Sequence, residues 1–216
     1  MEWILESIKR WHRECLAKNL ILALENKGYN AIYASDADEA RQIVNDLIPQ
    51  DSTVAVGGSV TLVETGILAD LQSDKYKFID RYNQPSFDII LDKYREGYNA
   101  DYFVTSTNAI TKSAELVNLD CTGNRVGAIG FGPKNVIVVC GTNKIVRDIN
   151  AGILRAKEIA PINAKRLNHK TPCAEDGMCH DCTVGHRLCN ITSIIHNCYK
   201  FKGRITVVII PDIIGY

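Results

Sequence analysis

The sequence predicts an α/β fold with a mostly parallel, helix-covered sheet, preceded by an N-terminal helix and followed by a cysteine-rich loop near the carboxyl end. Two observations lead to the sheet: short β-branched runs alternate with segments of helical period, and turn signals close each run. Parallel strands buried on both faces read as continuous apolar runs, and Thr53–Val56, Val136–Val139 and Thr206–Ile210 read that way. The third observation, four cysteines crowded between residues 172 and 190, marks the loop.

Taken in order, Ile4, Leu5, Ile8, Trp11, Leu16, Leu20, Ile21 and Leu24 recur close to the helical period, so Glu2 to Asn26 is one amphipathic helix ended by Gly28. Tyr29 to Ala34 is a strand. Ser35-Asp36 with Glu39 then caps a helix that Pro49 closes. Thr53 to Val56 is a strand running into Gly57-Gly58-Ser59 and a helix through Leu62 and Glu64 to Gly66. Leu71 to Tyr98, rich in aromatics and charges, reads as surface helix with loops. Strands follow at Asp101 to Val104, Glu115 to Leu119 and Val136 to Val139, with Asn124 to Phe131 between the last two. Ile145 to Ala160 is a helix ended before Pro161, and Thr206 to Ile210 is the final strand. No internal repeat or low-complexity linker divides the chain, so 1–216 reads as a single domain.

Lysine plus arginine and aspartate plus glutamate each number 25, giving a formal net charge of zero, which argues against a nucleic-acid partner. The most apolar run, Ile205 to Ile210, is too short for a membrane span, and Met1-Glu2-Trp3-Ile4 with Glu6 reads as neither signal peptide nor anchor. Eight cysteines without a secretory signal point to a reducing compartment, with the cytoplasm as the expectation.

Cys173, Cys179, Cys182 and Cys189 follow the pattern C-x5-C-x2-C-x6-C, and four thiolates on one loop can converge on one metal centre. Gly177 and Gly185 relieve the backbone turns that such wrapping needs. Zinc sites usually present two C-x2-C knuckles, and only one is present here. Donation from one continuous loop resembles iron–sulfur ligation more closely, so a [4Fe–4S] cluster is expected, with zinc as the alternative. His180 and His186 are alternative donors, and Cys15, Cys121 and Cys140 are scattered elsewhere.

Gly57, Gly58, Ser59 and Thr61 place free amides and hydroxyls between a strand and a helix, a pattern suited to an anion and equally to close helix packing. Neither a P-loop nor a G-x-G-x-x-G motif is present. Thr107 and Asn108, close behind another strand, and Asn124 and Arg125 fall where ligands gather in open α/β sheets. Arg125 and Lys144 are the candidate cations. Glu64 and Asp101 are the carboxylates nearest these turns.

Across these motifs the chain resembles the lactate-utilisation (LUD) domain family. The likeness rests on Val56-Gly57-Gly58-Ser59-Val60-Thr61-Leu62 with Glu64 and Gly66, on Thr107-Asn108-Ala109-Ile110-Thr111, and on Gly123-Asn124-Arg125-Val126. It continues through Gly132-Pro133-Lys134, Asn143-Lys144-Ile145-Val146 and Ala160-Pro161-Ile162-Asn163-Ala164 into the cysteine loop. The resemblance implies a Rossmann-like sheet related to the sugar-phosphate isomerase and CoA-transferase superfamily. In that superfamily glycine-rich turns bind phosphate or CoA and a carboxylate often does the chemistry, with Glu64 and Asp101 the nearest matches. The short C-x2-C-x2-C-x3-C-P motifs of the larger lactate-utilisation partner are absent. The expectation is a redox accessory protein in oxidation of lactate or a similar 2-hydroxy acid, working with iron–sulfur oxidoreductase partners. The alternative is an enzyme that binds a phosphorylated or CoA-linked small molecule at Gly57–Thr61 and carries a structural zinc.

Overall fold

The structure, a computed structural model, describes residues 2–216. In chain order the first elements are α1 (Glu2–Asn26), β1 (Asn30–Tyr33), α2 (Ala37–Leu47), β2 (Thr53–Val56), α3 (Val60–Glu64), α4 (Ile67–Leu71), β3 (Lys77–Phe78) and α5 (Phe87–Gly97). They are followed by β4 (Tyr102–Thr105), β5 (Ala109–Thr111), β6 (Leu116–Asp120), α6 (Asn124–Gly130), β7 (Asn135–Gly141) and β8 (Ile145–Val146). The chain ends with α7 (Ile149–Arg166), α8 (Cys173–Asp176), β9 (Ile191–Ile195) and β10 (Ile205–Ile210).

Six strands form a parallel sheet in the order β1-β10-β7-β4-β2-β3, as the alternating pattern predicts. Side chains of the central strands alternate between two cores. Val136, Val138, Cys140, Val207 and Ile209 face one, with Leu20 and Leu24 of α1, while Ile137, Val139, Val208 and Ile210 face the other, with Val44 of α2 and Leu62 of α3. Both faces are therefore covered, which is why these strands are apolar throughout. The buried side chains of α1 all lie in its second half, while Trp3, Ile4, Leu5, Ile8 and Trp11 are exposed and Arg10 and Arg13 tie the first half to Ser35, Pro211 and Asp212.

Three expectations change. The run Glu115 to Leu119 is a strand outside the parallel sheet: β6 is antiparallel to β5 and β9 in a second sheet ordered β8-β5-β6-β9. The last long helix starts at Ile149, since Ile145–Val146 pairs as β8, and it does not stop before Pro161 but continues to Arg166 with the proline inside it. Pro161 removes one N–H, yet Ala156, Ala160 and Ala164 stay buried, and Gly152 lies so close to the sheet that a Cβ there would stand 2.9 Å from Val117 Cγ2. Packing on the second sheet thus outweighs the lost hydrogen bond. The segment Leu71 to Tyr98 adds a strand, β3, to the sheet edge. Among the described residues no helix is long and apolar enough to cross a membrane.

Candidate functional site

Because β2, β3, β4 and β7 run parallel, the residues after each of them meet at one edge. Gly57-Gly58-Ser59, Ile79-Asp80-Arg81, Ser106-Thr107-Asn108 and Thr142-Asn143-Lys144 all emerge there. Gly58, Ser59, Arg81, Ser106, Thr107, Asn108 and Lys144 from these turns border a cleft of about 640 Å³, closed on its far side by α7 and the cysteine loop, whereas Gly57 and Thr61 lie behind its lining. This is the expected position for a ligand in an open parallel sheet.

Lys144 ends the 3-10 turn after β7 and is 2 % exposed. Its Nζ donates to Thr61 Oγ1 at 2.7 Å and Ser106 Oγ at 2.9 Å, which ties the turns after β2, β4 and β7 together. Burial drives the ammonium down to about 8, opposed by Cys140 and reinforced by Arg155 and Arg125. An ammonium has three hydrogens, so one remains for a ligand.

Arg125 points inward but is already engaged. Its Nη2 donates to Asn108 Oδ1 at 2.8 Å and the Leu119 carbonyl at 2.6 Å, and its Nε lies 3.5 Å from Asp120 Oδ2. Burial lowers its pKa and Asp120 opposes the shift. Asn108 is likewise a brace: Oδ1 also accepts the Leu119 N–H, and the Asn108 carbonyl accepts from Arg155. The Thr107 hydroxyl donates to the carbonyls of Ala109 and Val117. Ser59 caps α3 through the Leu62 N–H, and α3 is only 5 residues long, so its dipole is small. Any pull on an anion comes from the cations of the cleft rather than from this helix start.

Sequence reasoning passed over Arg81, a cation with an unpartnered nitrogen among the described residues. It follows the two-residue strand β3, and Asp80 fixes its loop by accepting the Tyr82 N–H at 2.7 Å. The Arg81 guanidinium lies 4.9 Å from the Tyr82 ring centre and 5.0 Å from that of Tyr94. Its Nε is buried without a hydrogen-bond partner among the described residues. A Cβ on Gly58 would stand 3.4 Å from its Nη2, so the guanidinium faces the glycine turn. Arg81, Arg125, Lys144 and Arg166 line the cleft against one carboxylate, Asp120, so a neutral chain carries a locally positive cavity.

The two candidate carboxylates fall outside the cleft. Asp101 precedes β4 at the opposite edge of the sheet, where it accepts from the Thr53 N–H at 2.8 Å and the Thr53 hydroxyl at 2.6 Å, bonds that hold its pKa low. Exposed Glu64 accepts the Gly215 N–H at 2.6 Å. Asn124 lines the cleft, its Oδ1 accepting from Thr122 at 2.7 Å.

Cys173, Cys179, Cys182 and Cys189 line one small pocket beside α7, together with Ala160, Ala164 and Leu188. Arg187 staples the loop, donating to the carbonyls of Cys182 and Cys189 and to Asp181 Oδ1. His180 lines the same pocket and is held by Asp176, 2.6 Å away. Burial pushes the Cys189 thiol up to about 11, with the other three cysteines adding to the shift, so the four sulfurs sense one another. The donor set suits zinc or an iron–sulfur cluster. Its enclosed centre is about 20 Å³, room for one atom-sized guest. Among the described residues no three His, Cys, Asp or Glu side chains already close on a single ion. Cys189 also lines the large cleft, so the thiol pocket and the cationic cavity share a wall.

The LUD domain family model matches residues 17–210. A crystal structure of a DUF162 family protein from Deinococcus radiodurans is similar in fold, with a TM-score of 0.52 and 14 % sequence identity over 93 % of this chain and 97 % of that chain. At that identity the likeness concerns the fold alone. No curated protein matches the chain in sequence.

Proposed function

The chain belongs to the LUD domain family, and from that premise we propose that it is a redox accessory protein in oxidation of lactate or a similar 2-hydroxy acid. In this reading Cys173, Cys179, Cys182 and Cys189 hold one [4Fe–4S] cluster. The observation that carries it is the wall shared through Cys189, which sets a sulfur-ligand site beside a cavity built for an anion. A cluster held there would supply one-electron transfer. Lys144 Nζ, with one hydrogen unused and a depressed pKa, would receive the carboxylate and could exchange a proton near neutral pH. The two-electron oxidation itself would belong to an iron–sulfur oxidoreductase partner, with the cluster relaying its electrons one at a time. Free thiols suit a reducing compartment, the cytoplasm in this reading.

Anaerobic purification with iron, sulfide and zinc analysis on one sample, followed by EPR after reduction, tests the proposal. About four irons and four sulfides per chain with a reduced-state signal are expected. Zinc without iron overturns it and leaves a second reading, an enzyme with a structural zinc that binds a phosphorylated or CoA-linked molecule over Gly57–Thr61. The cleft's volume, of the size that holds drug-sized ligands, favours that reading.

A further inference from the structure

The cleft is far larger than a hydroxy acid, and its lining combines two chemistries. Arg81, Lys144 and the Gly58-Ser59 turn supply charge and free backbone. Val63, Phe87 and Tyr82 supply apolar surface left open to solvent, being 59 %, 59 % and 41 % exposed. Side chains of this size normally bury most of their area, and where they line a cavity they offer a surface to a ligand. Arg81 belongs to both. Its guanidinium lies against the Tyr82 and Tyr94 rings while its buried Nε has no partner among the described residues, so a hydrogen-bonding position is held in place and unused.

The geometry points to a ligand made of a planar heteroaromatic ring joined to a phosphate, a mononucleotide-class molecule, with the phosphate between Arg81 and the Gly58-Ser59 turn and the ring along Phe87 and Tyr82. A guanidinium presents a fork that matches phosphate, and Gly58 lets the anion approach the backbone. The exposed aromatics receive the ring face, which inorganic phosphate or lactate lacks. This inference is independent of what the cysteines bind, since none of the residues it uses touches the thiol pocket.

Calorimetric titration of the protein as purified with AMP, FMN, inorganic phosphate and lactate tests it, and the AMP and FMN arms tell a purine from a flavin ring. At least one nucleotide is expected to bind about tenfold or more tightly than phosphate. Arg81→Gln is expected to weaken that nucleotide about tenfold, the loss of a charge-assisted hydrogen bond, with Arg81→Lys falling between. Phe87→Ala is expected to weaken the nucleotide and leave phosphate unchanged. Circular dichroism identical to wild type shows that each variant is folded. Equal affinity for phosphate and both nucleotides, no binding of either nucleotide at millimolar concentration, or full nucleotide affinity in a folded Arg81→Gln protein overturns the proposal.

Discussion

The Arg125 guanidinium stands 3.5 Å from the Asp120 carboxylate with only 12 % and 8 % of the two side chains exposed, so the most inward-pointing arginine of the site is neutralised from within. Removing one member of a buried pair strands the other, which costs about 3–5 kcal/mol. Arg125→Ala is therefore expected to lower unfolding free energy by that order in urea titrations, and Asp120→Ala to do the same. The double variant should cost less than the sum, since the stranded charge is gone. A loss under 1 kcal/mol for Arg125→Ala would mean that the pair is solvent-screened.

The two glycines of the β2 turn are expected to respond differently to a methyl group. A Cβ on Gly57 would lie 2.5 Å from Thr105 Oγ1 and 3.1 Å from Arg125 Cγ, both held in the core of the site. Gly57→Ala should thus destabilise by about 1–3 kcal/mol, the usual cost of overpacking. On Gly58 the nearest atom is Arg81 Nη2 at 3.4 Å, the end of a flexible side chain. Gly58→Ala should leave stability within about 0.5 kcal/mol while weakening anion binding, as read by melting temperature and titration on the same samples.

What the sequence made legible follows from how local each signal is. Gly57 to Thr61 and Thr105 to Asn108 could be assigned to one edge because each lies at the end of a strand of the same sheet, and direction settles the edge. Asp101 escaped that logic because it begins its strand instead of ending it, a distinction of four residues that decides which side of the sheet a carboxylate serves. Arg81 was hidden because β3 has 2 residues and no periodicity to betray it. The second sheet was illegible for another reason: β6 pairs with β9 across the whole length of α7 and the cysteine loop, and such register is written in no contiguous stretch. The cysteine spacing sets four donors on one loop without help from the sheet, and in the structure the four line one pocket.

Replacing any of Cys173, Cys179, Cys182 or Cys189 by Ser should remove most of the bound metal, because all four line one pocket and a tetrahedral site tolerates no missing thiolate well. Cys15→Ser, on α1 away from that pocket, should leave metal content unchanged. Arg187→Gln should lower metal retention against a chelator without removing a ligand, since it frees the carbonyls that Arg187 ties together. Elemental analysis per chain decides each case. Full retention in two or more of the four single variants would refute a common centre.

Lys144 should make anion binding fall as pH rises. Its pKa is carried from 10.5 down to about 8 chiefly by burial, with Arg155 and Arg125 pushing the same way and Cys140 and Glu64 opposing. Cys140 is itself raised to about 11, so its opposing charge appears only toward the top of this range. Above pH 8 the protonated fraction falls about tenfold per unit, and affinity for a carboxylate or phosphate should fall with it until the bound anion's own pull on the proton is exhausted. The sign for stability is opposite. Between about 8 and 10.5 the unfolded chain holds a proton that the folded chain has released, so Lys144 contributes stability that rises with pH across that window and an energetic cost below it. Lys144→Met should accordingly bind the anion weakly at pH 7, lose the pH dependence of affinity between 7 and 9, and show a flatter stability profile above pH 8. Its interhydroxyl bridge to Thr61 and Ser106 is lost in the same variant, so titrations against pH, rather than a single affinity, separate the charge from the brace. An affinity profile unchanged in Lys144→Met would assign the pH dependence to another group.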